Sequence, residues 1–199
     1  MLGRYLLVLL LIFDTTGCND GSDNNSPALS FADLPGAFAV GRNTDVVLHD
    51  GRRNRKLTTT YWYPTIGSNQ GPLQAAEGAQ LIDGDRKFPL IVLMHGINDN
   101  APGTWSYLGP HLASHGYVVM APSLGTDILD HPGDISYLID TALGENGAQS
   151  MFTGRVEGEK ILVGGFSFGG LATYIFAYEP QYQDPRASAV VIMAGITPN

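Results

Sequence analysis

Residues 160–178 read KILVGGFSFGGLATYIFAY. Lys160–Val163 is a short apolar run of strand type, Phe168–Tyr178 has a helical pattern, and Gly165-Phe166-Ser167-Phe168-Gly169 joins them as G-x-S-x-G. A serine on so sharp a strand-to-helix turn sits in a strained backbone conformation. Side chains two residues before and after it would collide with each other unless both are small. Gly165 and Gly169 meet that need, and Gly164 and Gly170 widen the clearance. The turn places the Ser167 hydroxyl at the end of a sheet, near the positive end of the following helix, and directs the Phe168 N–H at a developing oxyanion. Ser167 is therefore the candidate nucleophile and Phe168 a candidate oxyanion donor.

Two other readings compete for the same stretch. A glycine-rich turn can merely pack a helix on a strand, because G-x-S-x-G alone is a weak pattern. A dinucleotide-binding loop needs G-x-G-x-x-G after its strand. No frame through Gly164–Gly170 supplies it, and the following strand ends in Met193-Ala194-Gly195 with no acid.

Outward from this turn, further apolar runs follow at Pro89–Met94, Tyr117–Ala121 and Ala189–Met193. Runs apolar on both faces suit the strands of a parallel sheet covered on both sides. Between them the pattern predicts helices over Trp105–His115, bent at Gly109-Pro110, and over Asp134–Leu143 with Asp134 as N-cap and His131-Pro132-Gly133 as a turn before it. Asp45–His49 and Lys56–Tyr63 read as strands of a hairpin around Asp50-Gly51, and residues 64–87 read as irregular. An antiparallel entry followed by alternating strands and helices means an α/β fold of six strands.

Met94-His95-Gly96-Ile97 closes the strand Pro89–Met94. A second oxyanion donor comes from the loop after this strand in folds with such a serine turn. Ile97 N–H is the candidate, with its side chain as an apolar wall, and His95 reads as a residue that shapes the loop. His111 and His115 stand four apart on a helix, but Leu112 occupies the place where a zinc-protease motif carries glutamate. They read as a solvated helix end, and no metal is expected. Trp105 and Tyr107 read either as an acyl-pocket lining or as core.

The 199 residues amount to about one domain. The 25 glycines and 12 prolines mark many tight turns. A net charge of −8 argues against nucleic acid and against anionic membrane surfaces as partners. One cysteine, Cys18, excludes an internal disulfide. Leu6–Phe13 is an eight-residue apolar run, too short to span a bilayer and of the size of a signal-peptide core. With Thr15-Thr16-Gly17-Cys18 behind it, residues 1–17 resemble a bacterial lipoprotein signal in which Cys18 becomes the lipidated first residue, although such signals usually carry leucine where Thr15 stands. An ordinary secretory signal is the other reading. Residues 18–35 read as a flexible tether and 36–199 as the folded domain. The protein is thus expected to be exported, either secreted or held at a membrane through the lipid alone.

Several longer stretches carry a resemblance to the α/β-hydrolases related to dienelactone hydrolase and platelet-activating-factor acetylhydrolase, and also to chlorophyllase and bacterial polyester hydrolases. These are Val40-Gly41-Arg42, Tyr61-Trp62-Tyr63-Pro64, Phe88–Gly96, His111–Pro122 and Gly164–Gly170. Phe166 departs from the group, which usually has histidine there. The resemblance implies an α/β-hydrolase fold, a mostly parallel sheet with helices on both faces. It also implies a small-molecule ester substrate, no metal or organic cofactor, and a carboxylic ester hydrolase with Ser167 as nucleophile and the Ile97 and Phe168 amides as oxyanion donors.

In that fold the acid and then the histidine of the triad follow the serine. All five histidines precede Ser167, and the acids after it, Glu179 and Asp184, come too early. The expectation is a truncated domain lacking its last strands and helices, inactive on its own, with Ala189–Met193 as an uncovered apolar edge. A non-catalytic surface lipoprotein derived from a hydrolase, and a related hydrolase of thioesters or lactones, are the alternatives.

Overall fold

The computed structural model describes residues 34–67 and 74–195. The expected signal peptide, Cys18 and nearly all of the expected tether lie outside the described residues. Among the described residues, seven strands and four α-helices follow one another. They are β1 (Ala39–Asp50), β2 (Arg55–Thr65), β3 (Ala75–Glu77), β4 (Phe88–Met94), α1 (Ala101–Thr104), α2 (Leu108–Ser114), β5 (Val118–Pro122), α3 (His131–Leu143), β6 (Val156–Phe166), α4 (Phe168–Tyr178) and β7 (Ala189–Met193). They form one sheet in the order β3-β1-β2-β5-β4-β6-β7. β1 and β2 make an antiparallel hairpin, β2 runs antiparallel to β5, and β5, β4, β6 and β7 are mutually parallel.

The doubly apolar runs are explained by cover on both faces. Leu90, Val92 and Met94 of β4 pack with Val118 and Met120 of β5 beneath α3 and α4, where Ile135, Leu138, Ile139 and Phe176 close the core. The alternate residues Ile91, Leu93, Val119 and Ala121 face the other way, onto Ala101, Trp105 and Ala113 of the α1–α2 region. Trp105 is therefore core, whereas Tyr107 is half exposed. Among the described residues no helix is long and apolar enough to cross a membrane.

Four local expectations are corrected. The helix expected over Trp105–His115 is two short helices, α1 and α2, with Trp105–Tyr107 between them. Pro110 has no N–H to bond four residues back, so one helix cannot run through it, but it fits the first turn of α2. Gly109 lies flat on the Trp62 ring, where a Cβ would come within 2.6 Å. Second, α3 begins at His131, so His131-Pro132-Gly133 is its first turn and not a preceding turn. Third, Asp134 is inside that turn and does not cap it. Gly144, at φ 75°, ends the helix in the left-handed conformation. Fourth, β3 adds a seventh strand within the stretch read as irregular, parallel to β1. Three residues are too few to show a period. β3 is pinned by Glu77, which accepts from the Thr44 amide at 2.8 Å and pairs with Arg42 at 2.9 Å. β7 is the edge of the described sheet, and most of its side chains are only half-buried.

Candidate active site

Ser167 lies between β6 and α4 with φ 53° and ψ −114°, a strained conformation for a residue with a side chain. Its amide donates to the Met193 carbonyl at 2.9 Å and its own carbonyl accepts from Leu171 at 3.0 Å, so the turn is pinned at both ends. Its side chain does not cap α4. Phe168 opens the helix, among the first-turn amides that have no acceptor within the helix.

The glycines around it face different obstacles. A Cβ on Gly165 would stand 2.1 Å from the Gly169 carbonyl oxygen and 2.5 Å from Thr173 Oγ1. A Cβ on Gly169 would meet β4 instead, 2.2 Å from the Met94 carbonyl oxygen and 2.6 Å from that of His95. Gly165 and Gly169 are thus not small for the sake of each other's side chains. The first lets α4 close down on β6, and the second lets α4 close down on the end of β4. Gly96, in the loop after β4, brings backbone against the Ser167 side chain, since a Cβ there would lie 3.5 Å from Ser167 Cβ and 3.5 Å from the Phe166 ring. Ile97 and Phe166 flank this spot as exposed apolar side chains, 56% and 45% accessible.

His95 is buried, and both ring nitrogens face backbone: Nδ1 lies 2.7 Å from the Gly96 carbonyl oxygen, and Nε2 accepts from the Leu124 amide at 2.8 Å. The Leu124 donor fixes the proton on Nδ1. Burial holds the ring below its ordinary pKa against smaller opposing effects from the Gly96 carbonyl and Asp99, so it stays neutral. His95 ties the loop after β4 to the loop after β5, the shaping role expected for it.

Thr59 of β2 stands opposite Pro122 of β5, so the Arg55 end of β2 lies at the same end of the sheet as Ser167. There the hairpin tip and α3 are joined by a network that the sequence reading missed. Asp134, fully buried, accepts from Arg53 at 2.8 Å and from Arg55 at 2.9 and 2.8 Å. Arg55 also pairs with Asp130. Asp50 accepts from Arg53 Nε at 2.6 Å, and Asp140 holds Arg52 at 2.5 Å and Arg186 at 2.8 Å. Asp184 is bound to Arg186 at 2.6 Å, which commits this late acid to the network. Burial alone would raise the carboxyls of Asp50, Asp140 and Asp184. Their hydrogen bonds, from Asn146 and then arginines at Asp140 and mainly from arginines at Asp50 and Asp184, outweigh it and hold all three below the usual range. The legible signal was the cluster Arg52, Arg53 and Arg55 at a hairpin tip facing acids spaced along one helix.

His131 was also missed. It is fully buried and meets Phe168 edge-on, with ring centroids 5.4 Å apart at 85°. His111 on α2 and His115 just past its end have ring centroids 4.8 Å apart, and His115 Nε2 is 3.0 Å from the Leu34 carbonyl oxygen.

A search of curated protein sequences finds no match to this chain. Among solved structures, a ferulic acid esterase from Streptomyces cinnamoneus superposes with a TM-score of 0.60 at 23% identity, over 84% of this chain and 64% of the esterase. A proposed dienelactone hydrolase from Klebsiella pneumoniae superposes with a TM-score of 0.55 at 15% identity, over 82% of this chain and 62% of that one. The chain thus spans less than two thirds of either neighbour, and these likenesses establish the fold, that of an α/β-hydrolase. The sequence profile of platelet-activating factor acetylhydrolase, isoform II, matches residues 52–151. The match runs from the arginine-rich hairpin tip through α3 and stops short of the Ser167 turn. Spanning half of the sequence and agreeing with the fold, it shows that the chain belongs to the family of platelet-activating factor acetylhydrolase, isoform II.

Proposed function

We propose that this chain is the nucleophile-bearing part of a serine-dependent carboxylic ester hydrolase, with Ser167 as nucleophile and the Phe168 and Ile97 amides as oxyanion donors. The observation that carries this reading is the strained Ser167 backbone between β6 and α4, in a turn cleared by Gly165 and Gly169. A serine held at φ 53°, where glycine would relieve the strain, is what a turn that presents a side chain requires. An acyl group would form an ester with Ser167 Oγ as the alcohol departs, and water would later release the acid. The exposed Ile97 and Phe166 side chains favour an apolar substituent beside the reacting carbon. Membership of the acetylhydrolase family and the likeness to an esterase support an ester as the substrate class.

No histidine follows Ser167 in the sequence, and His95 is committed to backbone. Loss of the base from such a unit lowers kcat by about 10⁶, while an oxyanion hole alone retains ~10³–10⁴ over water. The 199 residues should therefore acylate slowly and stoichiometrically without useful turnover. Long incubation with an excess of an activated ester or a fluorophosphonate, followed by mass spectrometry of the digest, tests this. We expect one adduct on the peptide carrying Ser167 and none in Ser167→Ala. An adduct elsewhere, or the same labelling in the variant, contradicts the assignment. We also read Cys18 as the lipidated anchor, so Cys18→Ala should abolish incorporation of labelled palmitate in a bacterial host.

A further inference from the structure

His131 places a fully buried imidazole at the first position of α3, and neither ring nitrogen has a hydrogen-bond partner among the described residues. A buried polar group without a partner is destabilising, and an apolar ring would fill the same space without that cost. The ring's surroundings explain why it carries no charge. On its own side stand Asp130 and Asp134, and Arg55 faces it from β2. Arg53 and Arg55 already occupy both Asp134 oxygens, and Arg55 holds Asp130. The Gly125 carbonyl faces the ring without closing a hydrogen bond of normal geometry. Burial is the largest influence and holds the imidazole below its ordinary pKa. From α4 the group packed against it is Phe168, edge-on at 5.4 Å.

We propose that His131 is a positioning residue for the Ser167 turn: its uncharged ring, packed against Phe168, fixes the first turn of α4 and with it the Phe168 amide, and a proton on the ring loosens that contact. The inference rests on the reading of Ser167 as nucleophile and adds an acid-sensitive support to the same site. A protonated ring carries two donors and no free acceptor. It would turn toward the Gly125 carbonyl or compete for Asp130 and Asp134, and either movement draws it off Phe168. The hairpin tip assists, because Arg55 opposes the pull of Asp134 and Asp130 on a ring that burial already holds neutral.

The test is an NMR titration of the full chain. Labelling with [¹⁵N]phenylalanine reduces the amide spectrum to eight residues, and Phe168→Leu assigns the one that matters. The Phe168 amide should titrate with the midpoint of the His131 ring, below the ordinary histidine value of 6.5. That response should vanish in His131→Phe. Phosphonylation of Ser167 by a fluorophosphonate should fall across the same midpoint by about tenfold, within the ~100-fold that an ångström of misplacement can cost. In His131→Phe, whose ring is somewhat larger but cannot be protonated, the rate at pH 8 should stay within about tenfold of wild type and lose the acid limb. Independent titration of the two groups, or an acid limb that persists in His131→Phe, overturns the proposal. Loss of labelling at every pH in a folded His131→Phe also overturns it, by making His131 the base itself. A wild-type chain that takes no label but keeps the coupled titration supports the His131–Phe168 link while sinking the nucleophile reading.

Discussion

Two regions at the same end of the sheet are built by opposite means. The Ser167 turn is made of absent side chains: Gly96, Gly165 and Gly169 allow three backbone segments to approach where a Cβ on Gly165 or Gly169 would stand near 2 Å from a carbonyl. The hairpin tip is made of some of the longest side chains available, with Arg52, Arg53 and Arg55 reaching into α3. The first arrangement is unforgiving because backbone cannot move aside. The second has slack, since its arginines keep about a quarter to a half of their side chains in solvent. A single methyl should therefore do more harm at the turn than the loss of a charge does at the tip.

The largest effect is expected for Gly169→Ala, whose methyl meets the Met94 and His95 carbonyls. It should lower stability in a denaturant titration by about 3 kcal/mol or more, at the upper end for overpacking. Asp134→Asn leaves two guanidiniums short of their buried acceptor. Because those groups reach solvent, the loss should be about 2 kcal/mol, below the range for a fully buried pair. A greater loss in Asp134→Asn than in Gly169→Ala would break the contrast.

Acid should sharpen it in two steps. His95 and His131 have pKa values held below 6.5, so the folded state binds fewer protons than the unfolded one beneath that value. Their contribution is whole above pH 6.5 and shrinks as pH falls toward the folded values. Asp50, Asp140 and Asp184, held below 3.8, add a second loss that begins near that pH and deepens below it. Denaturant midpoints measured from pH 8 to 3 should show both steps, and His131→Phe should reduce the first while leaving the second. The smallest effect is expected for Arg42→Ala. Its partner Glu77 is half exposed and also holds Thr44, so the change should stay below about 0.5 kcal/mol.

The same contrast decides what could be read from the sequence. The turn was legible because its requirements are local: G-x-S-x-G, an apolar run before it and a helical pattern after it. The strands β4 and β5 were legible because cover on both faces leaves unbroken apolar runs. The hairpin tip was not, since Arg55 and Asp134 stand 79 residues apart and each alone resembles an ordinary surface charge. Asp134 looked like a helix cap for the same reason, a polar residue before an apolar run, until its real partners came from another strand. His131 was misjudged because Pro132 and Gly133 signal a turn, and only the packing of α3 against α4 makes their helical alternative affordable. Even where the glycines were read correctly, Gly169 turned out to yield to β4 and not to Gly165, a contact between segments that local spacing does not contain.

The central claim is that residue 167 faces outward in a field that favours negative charge, and this can be measured without any catalytic partner. In Ser167→Cys combined with Cys18→Ser, the only thiol of the chain stands at the turn. Its pKa, taken from the pH dependence of alkylation by iodoacetamide, should fall at least about one unit below the ~8.5 of a free cysteine, through the α4 N-terminus and the oxyanion amides. A thiol that titrates at or above that value, or that the reagent reaches only after unfolding, would contradict the assignment of Ser167.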